Sequence, residues 1–273
     1  TSDGGWAWPE QVIDLSEALS GNYHSVVLDR ARCLPEVAYR LGVIREPVKD
    51  YSFENESRWA DYQAWVVHRL NERLDPGDRP VTRVSLYPKD GSLTPGPFSV
   101  LFILRESGAS LPLREAWTRG LLQFGDEPWD CEDLDSGVTR RVQSPVRWAV
   151  SEAGILASTG GYREPGDVVA PSLIQYQGLL PLYVGPRPIA QTLNLPDELE
   201  GVPARVFVNA LQATTFPSTI QDSTLVHFIL AASRTAFPGS HAPRIPARVG
   251  RVIEARPPKS VFLAVDDDQQ EFL

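Results

Sequence analysis

Residues 56–87 read ESRWADYQAWVVHRLNERLDPGDRPVTRVSLY, and the change of period inside this stretch decides the fold class. From Glu56 to Leu74 the residues Trp59, Tyr62, Trp65, Val66, Arg69, Leu70 and Arg73 recur at i, i+3, i+4 spacing, the pattern of a helix with one buried face. Ser57 stands where a helix N-cap is expected. Asp75-Pro76-Gly77-Asp78-Arg79-Pro80 ends that helix, since proline and glycine both interrupt it. Beyond Pro80 the period becomes two: Val81, Arg83, Ser85 and Tyr87 alternate with Thr82, Val84 and Leu86, as in a strand.

Upstream, residues 1–74 read as helical. Pro9 suits a first helical turn, and Val12, Ile13, Leu15, Ala18 and Leu19 precede a stop at Gly21. Val26, Val27, Ala31 and Leu34 continue the pattern to Pro35, and Val37, Ala38 and Leu41 carry it to Gly42. Downstream, the apolar run Phe98–Leu104 has the length of a buried strand, and Leu113–Phe124 reads as a short helix. Gly125–Gly137 is acidic and irregular in pattern. Short apolar segments follow at Val146–Val150, Val168–Tyr176, Leu179–Val184, Ala204–Leu211 and Ser260–Val265, all strand-like, while Leu225–Ala232 fits strand or helix equally. Thirteen prolines between 165 and 258 confine strands there to short or edge positions. The expectation is an α+β fold, with a helix-rich N-terminal part followed by a strand-rich, proline-punctuated C-terminal part. We divide it into a helical segment, 1–78, and a mainly β portion, 79–273, with one continuous domain as the alternative and a second boundary candidate near 158–166.

The chain has 273 residues and a net charge of −9, with 42% hydrophobic and 22% charged residues. A chain of this size buries about 75% of the surface exposed when unfolded. No run approaches the ~18–20 apolar residues of a membrane span, and the start lacks a signal-peptide pattern, so a cytoplasmic setting, or a particle assembled there, is expected. The acidic balance argues against a general nucleic-acid surface. Arginine outnumbers lysine, which is confined to Lys49, Lys89 and Lys259. Cys33 and Cys131 read as two free thiols, and the sequon at Asn55 as chance.

Residues able to make or break bonds are few and scattered. His24, His68, His227, His241 and the two cysteines show no ligand or triad spacing. The acidic run Asp126, Glu127, Asp130, Glu132, Asp133, Asp135 does not fit a calcium loop and reads as solvated, although Asp130 or Glu132 would suit acid–base chemistry if buried. Ser158-Thr159-Gly160-Gly161 reads as a turn whose backbone N–H groups are the alternative cradle for an anion. His68 reads as a surface or packing residue, and His227, among Leu225, Val226 and Phe228, as the histidine most open to a burial-driven shift. Trp59 and Trp65 read as core, Trp6 and Trp8 as interface candidates. The tail Asp266–Leu273 reads as frayed, or as a docking peptide anchored by Phe272 and Leu273.

No catalytic, cofactor-binding or metal-ligating residue and no cofactor is assigned. The leading expectation is a non-enzymatic structural or assembly subunit, of shell, capsid-associated or scaffold type, whose partners are other protein subunits, self or heterologous, with no membrane partner. A carboxylate-based hydrolase or transferase and a peptide-binding adaptor are the competing readings.

Overall fold

Pairing of Val12, Ile13 and Asp14 with two distant segments sets the first layer of the protein. In the computed structural model, residues 1–2, 4–8, 11–14, 27–45, 57–88, 98–122, 128–213, 215–238 and 244–261 are described. The fold is α+β, with helices and mainly antiparallel sheets. The chain divides into two compact units, Thr1–Ile155 and Leu156–Leu273.

In the first unit, β1 (Ile13–Asp14) pairs in parallel with β2 (Ile44–Arg45), and the six-residue α1 (Pro35–Arg40) lies between them in sequence. The helical expectation for Val12 and Ile13 is therefore corrected. Val12 O accepts from Ile44 N and Ile13 O from Leu28 N, so these carbonyls serve pairing between segments rather than a helical ladder. Asp14 is buried beside Arg30, whose Nε donates to Oδ1 at 2.6 Å, and Tyr39, whose hydroxyl donates to Oδ2. A buried carboxylate needs such partners.

The decisive helix is α2 (Trp59–Asn71). It starts after Arg58, with no side-chain cap, so Ser57 lies in the turn outside it. Tyr62, Val66 and Leu70 are its buried stripe. The strand read beyond Pro80 is β3 (Val84–Tyr87). Phe98–Leu104 is corrected from strand to helix: α3 spans Val100–Glu106, with Leu101, Phe102 and Leu104 buried and Ile103 exposed. Its stop explains the choice. Gly108 has φ +70°, Gly108 N donates to Arg105 O, and Ala109 N donates to Leu104 O, a two-bond cap that closes a helix. Helix α4 (Leu111–Leu122) agrees with the reading of Leu113–Phe124.

The acidic stretch is corrected too. Trp129–Asp133 is β4, the central strand between β3 and β5 (Thr139–Val142), with Leu86 opposite Cys131 and Trp129 opposite Val142. Val146–Val150 becomes part of α5 (Pro145–Ala153) because Ser144 Oγ accepts from Arg147 N and Pro145 fills the first helical position. Trp148 on α5 lies 5.5 Å from Tyr62, 5.2 Å from Phe102 and 6.0 Å from Phe98, ring centre to ring centre. Trp59 contacts Tyr62 and Trp129, so these rings form the aromatic core. Tyr62 donates its hydroxyl to Gln143 O at 2.7 Å, which satisfies a fully buried phenol.

The second unit begins with the hairpin of β6 (Leu156–Ser158) and β7 (Gly161–Arg163). Val168–Tyr176 is corrected: Val169 bridges Leu182, and Pro171–Tyr176 is 3-10 helix. Leu179–Val184 contributes only isolated bridges, to Val169, Ser158 and Gln177. Then come α6 (Arg187–Thr192), α7 (Ala204–Leu211), β8 (Thr215–Phe216) and α8 (Asp222–Ala236). Ala204–Leu211 is thus helix, entered through Pro203, with Val206, Phe207 and Leu211 buried. In α8, Leu225, Phe228, Ile229 and Ala232 form the buried stripe, which decides Leu225–Ala232 for helix. Phe207 and Phe228 meet at 5.5 Å in the centre of this core. A hairpin unforeseen in the sequence, β9 (Ile245–Val249) and β10 (Val252–Arg256), turns at Gly250 and pairs with β8 through β10. Pro246 is tolerated because β9 is the edge strand. Pro258–Ser260 is 3-10 helix and the rest of Ser260–Val265 beyond Val261 lies outside the described residues.

Candidate functional site

The second unit carries a cleft of about 1130 Å³. Its walls come from the β6–β7 turn, the 3-10 helix Pro171–Tyr176 with the following turn, α7, and the loop from Pro217 to the start of α8. Two local features shape it. Gly178 has φ +88°, and a Cβ there would lie 2.5 Å from Pro217 Cγ, so glycine alone lets the 217 loop close on this turn. Arg248 on β9 braces that loop from behind. Its Nε donates to Asp222 Oδ1 at 2.6 Å, Nη2 to Ile220 O at 2.5 Å and Nη1 to Ser218 O at 3.3 Å.

The lining mixes uncharged polar groups, among them Gln175, Gln177, Asn209 and Gln212, with apolar side chains, among them Leu179, Val206 and Ile220. Two charged residues join them, Arg163 and Asp167. Arg205 Nε holds Asp167 Oδ1 at 2.7 Å. Arg163 Nε is shielded from solvent and has no hydrogen-bond partner among the described residues. Gly160 lies against its guanidinium, where a Cβ would come within 3.3 Å of Nε and Nη2.

The anion cradle considered at Ser158–Gly161 is corrected. This is a hairpin turn with φ +92° at Gly161, and its N–H groups are spent internally. Thr159 N donates to Leu182 O and Gly160 N to Ser158 Oγ, which in turn donates to Gly161 O at 2.6 Å.

The remaining residues singled out by sequence are dispersed. His68 is exposed on α2, with Nε2 3.2 Å from Glu72 Oε1. His227 is exposed, because the period of α8 turns Phe228 and Ile229 inward and the imidazole outward. It lies on the wall of a smaller depression of about 470 Å³, with Asp197, Glu198 and Glu200, all exposed. Asp130 and Glu132 are half-buried on β4. Asp133 accepts from Ser136 Oγ and Asp135 N, and these bonds hold its carboxyl below the usual carboxylate range. Asp135 is held low in the same way by Arg83 Nη2 at 2.8 Å and Thr82 Oγ1 at 2.7 Å. Asp126, Glu127, His24, His241, Asn55 and the tail Asp266–Leu273 lie outside the described residues. Among the described residues, no three His, Cys, Asp or Glu side chains group as metal ligands, and no helix is long and apolar enough to cross a membrane. Cys33 and Cys131 are free thiols, and burial pushes the Cys131 thiol up to about 11.

A second feature lies on α1 in the first unit. Leu34, Val37 and Leu41 are 68%, 50% and 62% exposed, while Ala38 is the buried residue of the helix. The sequence sets Leu34 in the helical spacing before Pro35, and Val37 and Leu41 in the segment that Gly42 closes. The helix is too short to bury more than its Ala38 side. Trp6 and Trp8 are exposed as well. Trp59 and Trp65 join the aromatic cluster at Tyr62.

The cleft had no linear signature because its walls draw on segments spread over 159–224, and the one available signal was an arginine two residues beyond a Gly-Gly turn. Compared with family models, curated proteins and solved structures, the chain matches none of them.

Proposed function

We propose that this protein is a structural or assembly subunit that acts through protein–protein contacts, and that its partner at α1 is a second copy of the same chain. The observation that carries the reading is the exposed apolar stripe Leu34, Val37, Leu41 at i, i+3, i+7. Large side chains left in water on one helix face favour a contact that covers them.

The charges beside the stripe favour self-pairing. Glu36 and Arg40 are exposed, four residues apart on one flank, and neither has an ion-pair partner among the described residues. A two-fold axis relates each residue to its counterpart reciprocally. Antiparallel pairing of two α1 helices through the exposed stripe, with the axis at the level of residues 37–38, brings Leu34 of one copy to Leu41 of the other. The same operation sets Glu36 against Arg40 twice. Trp6 and Trp8 supply further exposed apolar area in the same unit. Shell and scaffold roles are the setting in which such a contact is used.

Light scattering on a sizing column across a concentration series tests this. The expected result is a dimer that Val37→Glu converts to monomer. Glu36→Arg alone weakens the dimer by placing like charges together, and Glu36→Arg with Arg40→Glu restores it. A strict monomer at high concentration, or no rescue by the charge swap, overturns the proposal.

A further inference from the structure

We propose that the cleft of the second unit binds a small polar molecule through an anionic group, phosphate or carboxylate, held by Arg163. Arg163 ends β7, half-buried, with Nε shielded and lacking an acceptor among the described residues. No carboxylate lies within ion-pair distance of it there, although the chain carries nine more acidic than basic residues. The arginines nearest the cleft walls, Arg205 and Arg248, do have carboxylate partners, Asp167 and Asp222. A guanidinium presents a planar fork of donors that suits the paired oxygens of a carboxylate or phosphate.

The single acid among the lining residues does not compete for the site. Asp167 is already held by Arg205 Nε at 2.7 Å, so its charge is compensated where it stands. Gly160 packs against the guanidinium, and a Cβ there would come within 3.3 Å of both Nε and Nη2 and displace them by a few tenths of an ångström.

The rest of the lining joins amides to apolar side chains such as Leu179, Val206 and Ile220, and the amides suit an uncharged, hydrogen-bonding body. Gln175, Gln177, Asn209, Gln212 and Gln221 each offer two donors and an acceptor, and none has a side-chain hydrogen bond among the described residues. Thr159 Oγ1 accepts from Leu182 N at 3.1 Å, which leaves its own proton to donate. The cleft, about 1130 Å³, is somewhat larger than the roughly 300–1,000 Å³ of ordinary small-molecule sites. One cation with many amides describes a ligand with one anionic end and a hydroxyl-rich remainder.

The test uses three probes with similar bodies and different ends: glucose 6-phosphate, gluconate and glucose. Calorimetry and amide spectra follow each titration of the whole chain. The expected result is binding of one or both anionic probes below ~10 mM, with weakening as salt rises and no binding of glucose. The Gln175 and Gln212 side-chain signals shift in the same titration. Arg163→Gln weakens the anionic probe by at least about tenfold. Gly160→Ala, which keeps the charge and displaces it, also weakens binding. Whichever anion binds identifies the head group. Absence of binding by both anions, equal binding to wild type and Arg163→Gln, or shifts confined to residues outside the cleft overturns the proposal. The wild-type titration alone decides the matter if either variant fails to fold.

Discussion

Asn71 and Val81 exchange two hydrogen bonds. Val81 N donates to Asn71 Oδ1 at 2.8 Å, and Asn71 Nδ2 donates to Val81 O at 3.0 Å. A side-chain amide thus imitates a strand neighbour and closes the Asp75–Pro80 loop between α2 and the lead-in to β3. Val81 is buried, so loss of the amide strands both of its backbone groups. Asn71→Leu is expected to cost on the order of 1–3 kcal/mol. Urea unfolding checks this: the midpoint falls while the slope is unchanged.

This loop also shows where the sequence was readable. Long periodic segments with clear stops, α2 above all, follow from side-chain spacing because one face must be buried. The short apolar runs misled. Phe98–Leu104 and Ala204–Leu211 are as apolar as buried strands, and their helical state is decided by their ends, by the Gly108 cap in one and the Pro203 entry in the other. The strand β4 was hidden because Asp130, Glu132 and Asp133 disguise alternation in which Trp129 and Cys131 are the buried members. Beyond the Gly-Gly turn before Arg163 the cleft left no trace in the sequence, and the exposure of the α1 stripe left none. Burial of one side and exposure of the other depend on which segment packs there, and residue identity carries no record of that.

The turn between β4 and β5 predicts an acid response. Arg83 and Thr82 hold the Asp135 carboxyl below its ordinary range, as Ser136 and the Asp135 N–H hold that of Asp133. A depressed folded-state pKa contributes stability that is full above the unfolded value of about 3.9 and is lost as pH falls through the lower folded value. Stability of the first unit should therefore decline below about pH 4. Asp135→Asn should be less stable at neutral pH and show a shallower acid limb. Thermal melts between neutral and acid pH distinguish the two; parallel acid limbs would refute the assignment.

Cys131 predicts the opposite limb. Burial, then the charge of Asp133, raise its thiol to about 11. A raised folded-state pKa contributes stability that is full below the unfolded value, about 8.5, and is lost as pH rises toward the folded one. Cys131→Val should flatten the alkaline decline between those values. In the folded protein a thiol reagent should modify Cys33 first, and reach Cys131 only on unfolding.

Arg248 joins β9 to the cleft wall through Asp222 and the carbonyls of Ser218 and Ile220. Lysine cannot reproduce a three-point fork. Arg248→Lys should recover only part of what Arg248→Ala loses, which is on the order of 1–3 kcal/mol. Hydrogen exchange of the 217–221 amides should quicken in both variants, and full recovery by lysine would show that charge alone suffices.

Gly178 offers a way to separate backbone strain from packing. Gly178 and Gly161 have nearly the same φ, +88° and +92°, and lie in the same unit. A Cβ on Gly161 meets nothing within 4 Å, whereas one on Gly178 meets Pro217 Cγ at 2.5 Å and Cδ at 2.9 Å. Gly161→Ala should then cost only the left-handed backbone penalty, roughly 1–2 kcal/mol. Gly178→Ala should cost more, because the rigid Pro217 ring must move. Pro217→Ala in the Gly178→Ala background should restore part of that excess. Equal costs at the two glycines would mean that the 217 loop gives way freely, and that the cleft wall is softer than its packing implies.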